Sequence, residues 1–134
     1  MVRNVALIIL FDEKNKILLQ HRTEDAPSYP GFWGFFGGGI YMDETPEQAV
    51  RREAIEELNY ALLNPEFILT FDYKTDVYEG KKYYYREKCA DKSFLKLLEG
   101  QDMRWVTIHQ ALTLRTNDWN KKTLIQLQNY FLEH

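Results

Sequence analysis

The stretch GGIYMDETPEQAVRREAIEELNY, residues 38–60, decides the fold. Its middle announces a helix. Thr45 can cap, Pro46 suits the first helical position, and Gln48 completes a capping box with Thr45. The helix is expected to run to about Leu58, where Asn59 supplies a side chain that tolerates a left-handed cap. On that helix Glu53 and Glu56 stand three apart and Glu53 and Glu57 four apart, spacings that crowd carboxylates onto one face, while Val50, Ala54 and Leu58 form an opposing apolar stripe. Like charges at these spacings cost a few tenths of a kcal/mol per pair, which an oxygen-seeking dication bound between them would reverse. A solvated face neutralised by Arg51 and Arg52 is the competing account. Ahead of the helix, Gly37, Gly38 and Gly39 end a strand with no Cβ to keep backbone atoms from an ion or phosphate. A bulge or tight bend explains the same glycines.

The segments on either side place this unit in a mixed sheet. VALIILF, residues 5–11, is seven apolar residues ending at Asp12, too short to span a bilayer and suited to a buried strand. With ILLQHR, residues 17–22, it forms an expected antiparallel hairpin. Residues 23–32 hold two prolines and a glycine and read as a loop. Residues 66–76 and 81–90, joined through Tyr78-Glu79-Gly80, read as a second hairpin. RWVTI, residues 104–108, is a further strand. A last helix begins at Asn117 or Asp118, with Leu124, Leu127 and Phe131 on one stripe. This order predicts one domain over residues 1–134, an α+β fold with a mixed β-sheet between helices in an α/β/α sandwich.

The chain has 134 residues, a formal charge of −3 and one cysteine, Cys89. No disulfide can form within it, and the acidic balance leaves no basic field for nucleic acid. These features point to a cytoplasmic protein with no nucleic-acid and no membrane partner, in which a polyphosphate ligand would need added cations. His21, His109 and His134 make no ligand pattern. The aromatic strand KKYYYREKC leaves a homodimer open, because sheet edges need cover.

Residues 38–60 resemble the Nudix box of the Nudix hydrolases, G-x5-E-x7-R-E-U-x-E-E-x-G-U with U bulky and aliphatic. Gly38, Glu44, Arg52, Glu53, Glu56 and Glu57 fall in register. Ala54, Asn59 and Tyr60 depart from the pattern at its end, and Phe36, Tyr41 and Asp43 differ from many relatives near its start. The resemblance implies a Nudix-type fold in a small MutT-like member. It implies hydrolysis of a nucleoside diphosphate linked to another group, most plainly a nucleoside triphosphate or an oxidised form of one, with Mg²⁺ or Mn²⁺ as cofactor. A nucleotide sugar is the alternative substrate, and a non-catalytic nucleotide-binding domain the alternative class. It further implies Glu53, Glu56 and Glu57 as metal ligands, with the Gly38 carbonyl beside them. Arg52 would fix an acid's rotamer. Glu44 would either do the same for the loop or touch the metal. Glu99 resembles a loop glutamate that acts as base or added ligand, against the simple account of an exposed loop acid. Arg22 resembles a phosphate-binding arginine, with a strand-end surface charge as the competing account, and Asn117 a purine-reading asparagine, although a helix cap explains Asn117 equally well. Trp33, with Tyr29, Phe35, Tyr83 and Tyr85, is a candidate stacking partner for a base, against the account that strand aromatics belong to the core.

Overall fold

The computed structural model describes residues 1–133; His134 lies outside them. Its centre is β1 (Val5–Phe11), which runs parallel to β6 (Glu79–Lys88) on one side and antiparallel to β4 (Phe36–Gly39) on the other. Beyond β6 lies β5 (Glu66–Lys74), antiparallel to it with a bulge between Phe67 and Leu69. β2 (Ile17–His21) leaves β1 after the single pair Phe11–Ile17, then pairs along its length with β7 (Asp102–Val106) and briefly with β3 (Trp33–Gly34). The expected first hairpin therefore exists, but it opens at once.

Both faces of this mixed sheet are covered, which explains why β1 is apolar without alternation. Ala6, Ile8 and Leu10 pack with Phe36 and Tyr85 against Ala49, Val50, Ala54 and Leu58 of α1 (Pro46–Leu58). Leu7 and Ile9 point the other way, into a second cluster with Tyr84, Leu124 and Leu127 of α3 (Asp118–Glu133). The result is the α/β/α arrangement expected from the order of elements.

Three boundaries differ from the sequence reading. The second hairpin turns at Thr75 to Tyr78, where the Thr75 hydroxyl accepts the Tyr78 N–H at 3.0 Å, so Glu79 and Gly80 already belong to β6. β7 starts at Asp102 and stops at Val106 rather than running on to residue 108. Ile108 instead opens α2 (Ile108–Thr113), which the sequence reading did not contain. Its signal was present: Thr107 and Gln110 form the same capping box as Thr45 and Gln48. No helix among the described residues is long and apolar enough to cross a membrane.

Candidate active site

α1 starts and stops as its residues dictate. The Thr45 hydroxyl accepts the Gln48 N–H at 3.1 Å and the Gln48 side chain accepts the Thr45 N–H at 2.9 Å. Asn59 takes φ 53° and ψ 35° at the other end, donating its N–H to the Ala54 and Ile55 carbonyls. Between these ends the helix lies against the Gly37–Gly39 backbone.

The three helix acids differ in depth. Glu57 points inward and is 3% exposed, whereas the Glu56 side chain is 51% exposed and touches only Arg52, at 3.2 Å. Arg52 Nη1 reaches both Glu53 and Glu56, and the Glu56 charge acts on Glu53, so the crowding inferred from spacing holds, with Glu57 at its buried end and Glu56 at its exposed one. Glu57 accepts the Gly37 N–H at 3.1 Å. Gly38 leaves room for Glu53: a Cβ there would stand 2.6 Å from Glu53 Oε1. At Gly37, with φ +145°, a Cβ would strike the Ala6 carbonyl oxygen. Gly37 and Gly38 are thus required by the close approach of the β1 backbone and of the Glu53 carboxyl.

Glu99 comes to the same place from an exposed loop. The Glu57 and Leu58 carbonyls accept the Leu98 and Lys96 N–H groups, each at 2.9 Å, which ties the loop to the end of α1. The Glu99 carboxyl stands close enough to Glu57 to act on its titration. Burial first, and then Glu99 and Glu53, hold the Glu57 carboxyl well above the usual carboxylate range; burial does the same to Glu53, against the opposing pull of Arg52.

Arg52 organises the outer edge. It grips Glu44 through Nε at 2.7 Å and Nη2 at 2.9 Å, reaches Glu53 at 3.0 Å through Nη1, and donates to the Gly39 carbonyl at 2.9 Å. Its guanidinium lies 3.8 Å from the centre of the Tyr41 ring, so this departure from the Nudix pattern gains a cation–π contact. Glu44 also accepts the Tyr41 N–H at 2.8 Å, and Arg52 holds its carboxyl below the ordinary range. Glu44 therefore binds loop to helix, one of the two roles left open for it.

Beside the glycines a pocket opens, lined by Arg3, Arg22, Trp33, Phe35, Lys82 and Asn120 among others. Arg22 is steadied by the Ser28 carbonyl at 2.9 Å. Trp33 contributes a wall, but His21 is stacked on its ring with centroids 4.3 Å apart. Asn117 caps α3, its Oδ1 accepting the Asn120 N–H at 2.8 Å, and also reaches the pocket. Lys82 and Asn120, both buried, were not singled out from sequence; Lys82 lies in the stretch KKYYYREKC, whose reading rests on its aromatic residues.

The donor set suits a hard dication. Glu53, Glu57 and Glu99 offer only oxygens; Glu57 is buried and Glu53 half-buried, with the Gly37 N–H and Arg52 as their compensation. Among the described residues, however, no group of three His, Cys, Asp or Glu side chains is already gathered to hold an ion.

Comparison with known proteins finds the same architecture. A family model described as NUDIX domain matches residues 1–127. The nucleoside triphosphatase NudI of Escherichia coli is 31% identical over 126 residues, covering 86% of this chain and 89% of that protein. An uncharacterised Nudix hydrolase of Listeria innocua is 29% identical over 116 residues, covering 84% of this chain and 68% of its own length, so the chain spans about two thirds of that relative. The crystal structure of a MutT protein from Methanosarcina mazei Go1 superposes with a TM-score of 0.83 over 99% of this chain and 96% of that one, at 18% identity.

Proposed function

We propose, for a chain that belongs to the Nudix hydrolase family and so acts on phosphoric anhydride bonds, that it hydrolyses a nucleoside triphosphate to monophosphate and pyrophosphate with Mg²⁺ or Mn²⁺ as cofactor. One observation carries the reading: the paired acids Glu53 and Glu57 abut a glycine strand end that also borders an aromatic, cation-lined pocket. Glu53 and Glu57 would hold the cation, with the Gly38 carbonyl beside them and Glu56 joining once its side chain leaves Arg52. When bound, the cation neutralises phosphate oxygens and acidifies water.

The chain's own groups supply the rest. Arg52 fixes the Glu53 rotamer from one side and the entering loop, through Glu44, from the other. Glu99 takes the proton of the attacking water at its carboxylate; service as an added ligand is its alternative role. Arg22 would pair with phosphate oxygens, and its fork suits that contact. Trp33, buried with His21 stacked on its ring and the Arg104 guanidinium 4.8 Å from the ring centre, bounds the base as a wall, and Asn117 holds the adjoining end of α3 in place.

The test is a panel of nucleoside triphosphates and sugar nucleotides incubated with and without Mg²⁺, with products resolved by chromatography. The expected outcome is metal-dependent release of monophosphate and pyrophosphate. Cleavage confined to sugar nucleotides would replace this substrate class with the other, and binding without turnover would leave a nucleotide-binding domain.

A further inference from the structure

Lys82 is 8% exposed in the middle of the sheet, paired with Val5 on β1 and Phe71 on β5. Its ammonium lies 5.1 Å from the centre of the Tyr73 ring and 4.9 Å from that of Trp119. Among the described residues it has no hydrogen bond and no carboxylate partner. Every polar side-chain atom that is fully sealed from solvent has a partner, so the unpaired Lys82 ammonium keeps its opening onto the pocket it lines. Buried cations are ordinarily paired with an anion or acceptor, and one held only against two aromatic rings beside a cavity still has its N–H groups to offer a ligand. Burial, reinforced by Arg3 and Arg22, lowers its pKa to about 8, which still leaves it mostly charged near neutrality.

A second buried donor faces the same space. Asn120 is 5% exposed, and its Oδ1 accepts the Tyr84 hydroxyl at 3.0 Å, which leaves Nδ2 to donate. That Nδ2 lies 3.1 Å from where a Cβ on Gly34 would stand, so the glycine keeps the space above it clear. The pocket lining contains no carboxylate. Gln20 is its remaining buried amide, with Nε2 committed to the Glu99 carbonyl at 3.1 Å. Aromatic walls from Phe32, Trp33 and Phe35 give the pocket the shape of a flat ligand.

The sheet separates this floor from the acids. Lys82 shares a strand face with Tyr84, which packs in the α3 cluster, whereas Tyr83 packs on the α1 side, where Glu53 and Glu57 stand. A nucleotide whose phosphates lie at the glycine end would therefore place its base, rather than its phosphates, over Lys82.

We propose that Lys82 and the Asn120 amide select nucleobases that present carbonyl oxygens, so that keto bases are preferred to amino bases; this rests on the nucleoside triphosphate reading above. An exocyclic amine brought to this floor would leave two buried donors facing a third, the arrangement that polar sites reject most strongly.

Uridine and cytidine nucleotides, which differ in carbonyl against amine at C4 and in N–H against bare nitrogen at N3, provide the test. For wild-type protein, kcat/KM is expected to favour UTP over CTP by about tenfold or more, and GTP over ATP in the same sense. Lys82→Met should bring the UTP/CTP ratio near one through KM, with Lys82→Arg restoring part of it. In parallel, calorimetry without metal should show uridine monophosphate binding more tightly than cytidine monophosphate, and Lys82→Met removing the difference. Base discrimination in binding without turnover of any triphosphate would uphold this selectivity and sink the hydrolytic reading instead. An unchanged ratio in Lys82→Met, an equal loss on all four triphosphates as expected of a phosphate contact, or no binding of either monophosphate would overturn it.

Discussion

Glu57 and Lys82 are two buried titratable groups that no opposite charge among the described residues compensates. Glu57 has Glu53 and Glu99 against it and one Gly37 N–H in its favour. Glu57→Gln keeps an acceptor for that N–H while removing the like-charge crowding, so without metal the melting temperature should hold or rise. Steady-state assays should show metal-dependent turnover falling by roughly 10²-fold or more, the scale of losing an ion ligand or base; a variant with both unchanged would remove Glu57 from the mechanism. Lys82 has an ordinary pKa of 10.5 and is held near 8 by burial first and by Arg3 and Arg22 second. Between those values the unfolded chain binds more protons than the folded one, so this group's contribution to stability rises as pH climbs from about 8 to 10.5 and its penalty is complete below 8. Lys82→Met should therefore melt above wild type at pH 7, by at most on the order of 3 kcal/mol, with the advantage shrinking toward pH 10.5. Thermal melts of both proteins across that range check the sign. A variant that is less stable at pH 7 would contradict it.

At the scale of elements, α1 is the part most legible in the sequence, because its start and stop are written in short-range chemistry: a capping box at Thr45 and Gln48 and a left-handed Asn59. Thr45→Ala should cost about 1 kcal/mol, read as a lowered melting temperature, and should reduce activity by loosening the helix that presents the acids. Arg52→Lys should lose the two-pronged grip on Glu44 and weaken kcat more than stability, whereas Arg52→Ala, leaving Glu44 and Glu53 without their cation, should cost about 2 kcal/mol or more. Chemical denaturation of the pair separates these outcomes. Spacing alone could not say that Glu56 would turn outward while Glu57 turned inward, since that depends on where the helix meets the Gly37 backbone. α2 was missed although Thr107 and Gln110 repeat the capping signal of α1, because the apolar run before them reads as a strand continuing through Ile108. The partners of β1 and β2 are long-range choices, and no local pattern encodes that β2 leaves β1 for β7.

Across the whole molecule, the acids of α1, the loop acid Glu99 and the glycine edge meet because two N–H groups of residues 96 and 98 bind the end of α1. From the sequence these residues are named together with Arg22, Trp33 and Asn117 of the pocket lining, but nothing there points to Lys82 and Asn120. Arg3, Arg22, Lys82 and Asn120 are scattered over more than a hundred positions and converge only when β6 lies parallel to β1. A net charge of −3 also hides the sorting of charge between an acidic helix edge and a pocket lined by three cations and no carboxylate. Divalent cation bound only by the folded state should raise the melting temperature in proportion to the logarithm of its concentration above Kd. The most direct measurement is calorimetric titration of Mg²⁺ into wild-type protein and Glu57→Gln, each with a non-hydrolysable nucleoside triphosphate analogue present. Saturable uptake by wild type, weakened at least tenfold by the substitution, is the predicted result; no uptake, or equal uptake by both proteins, would contradict an ion site built on Glu53 and Glu57.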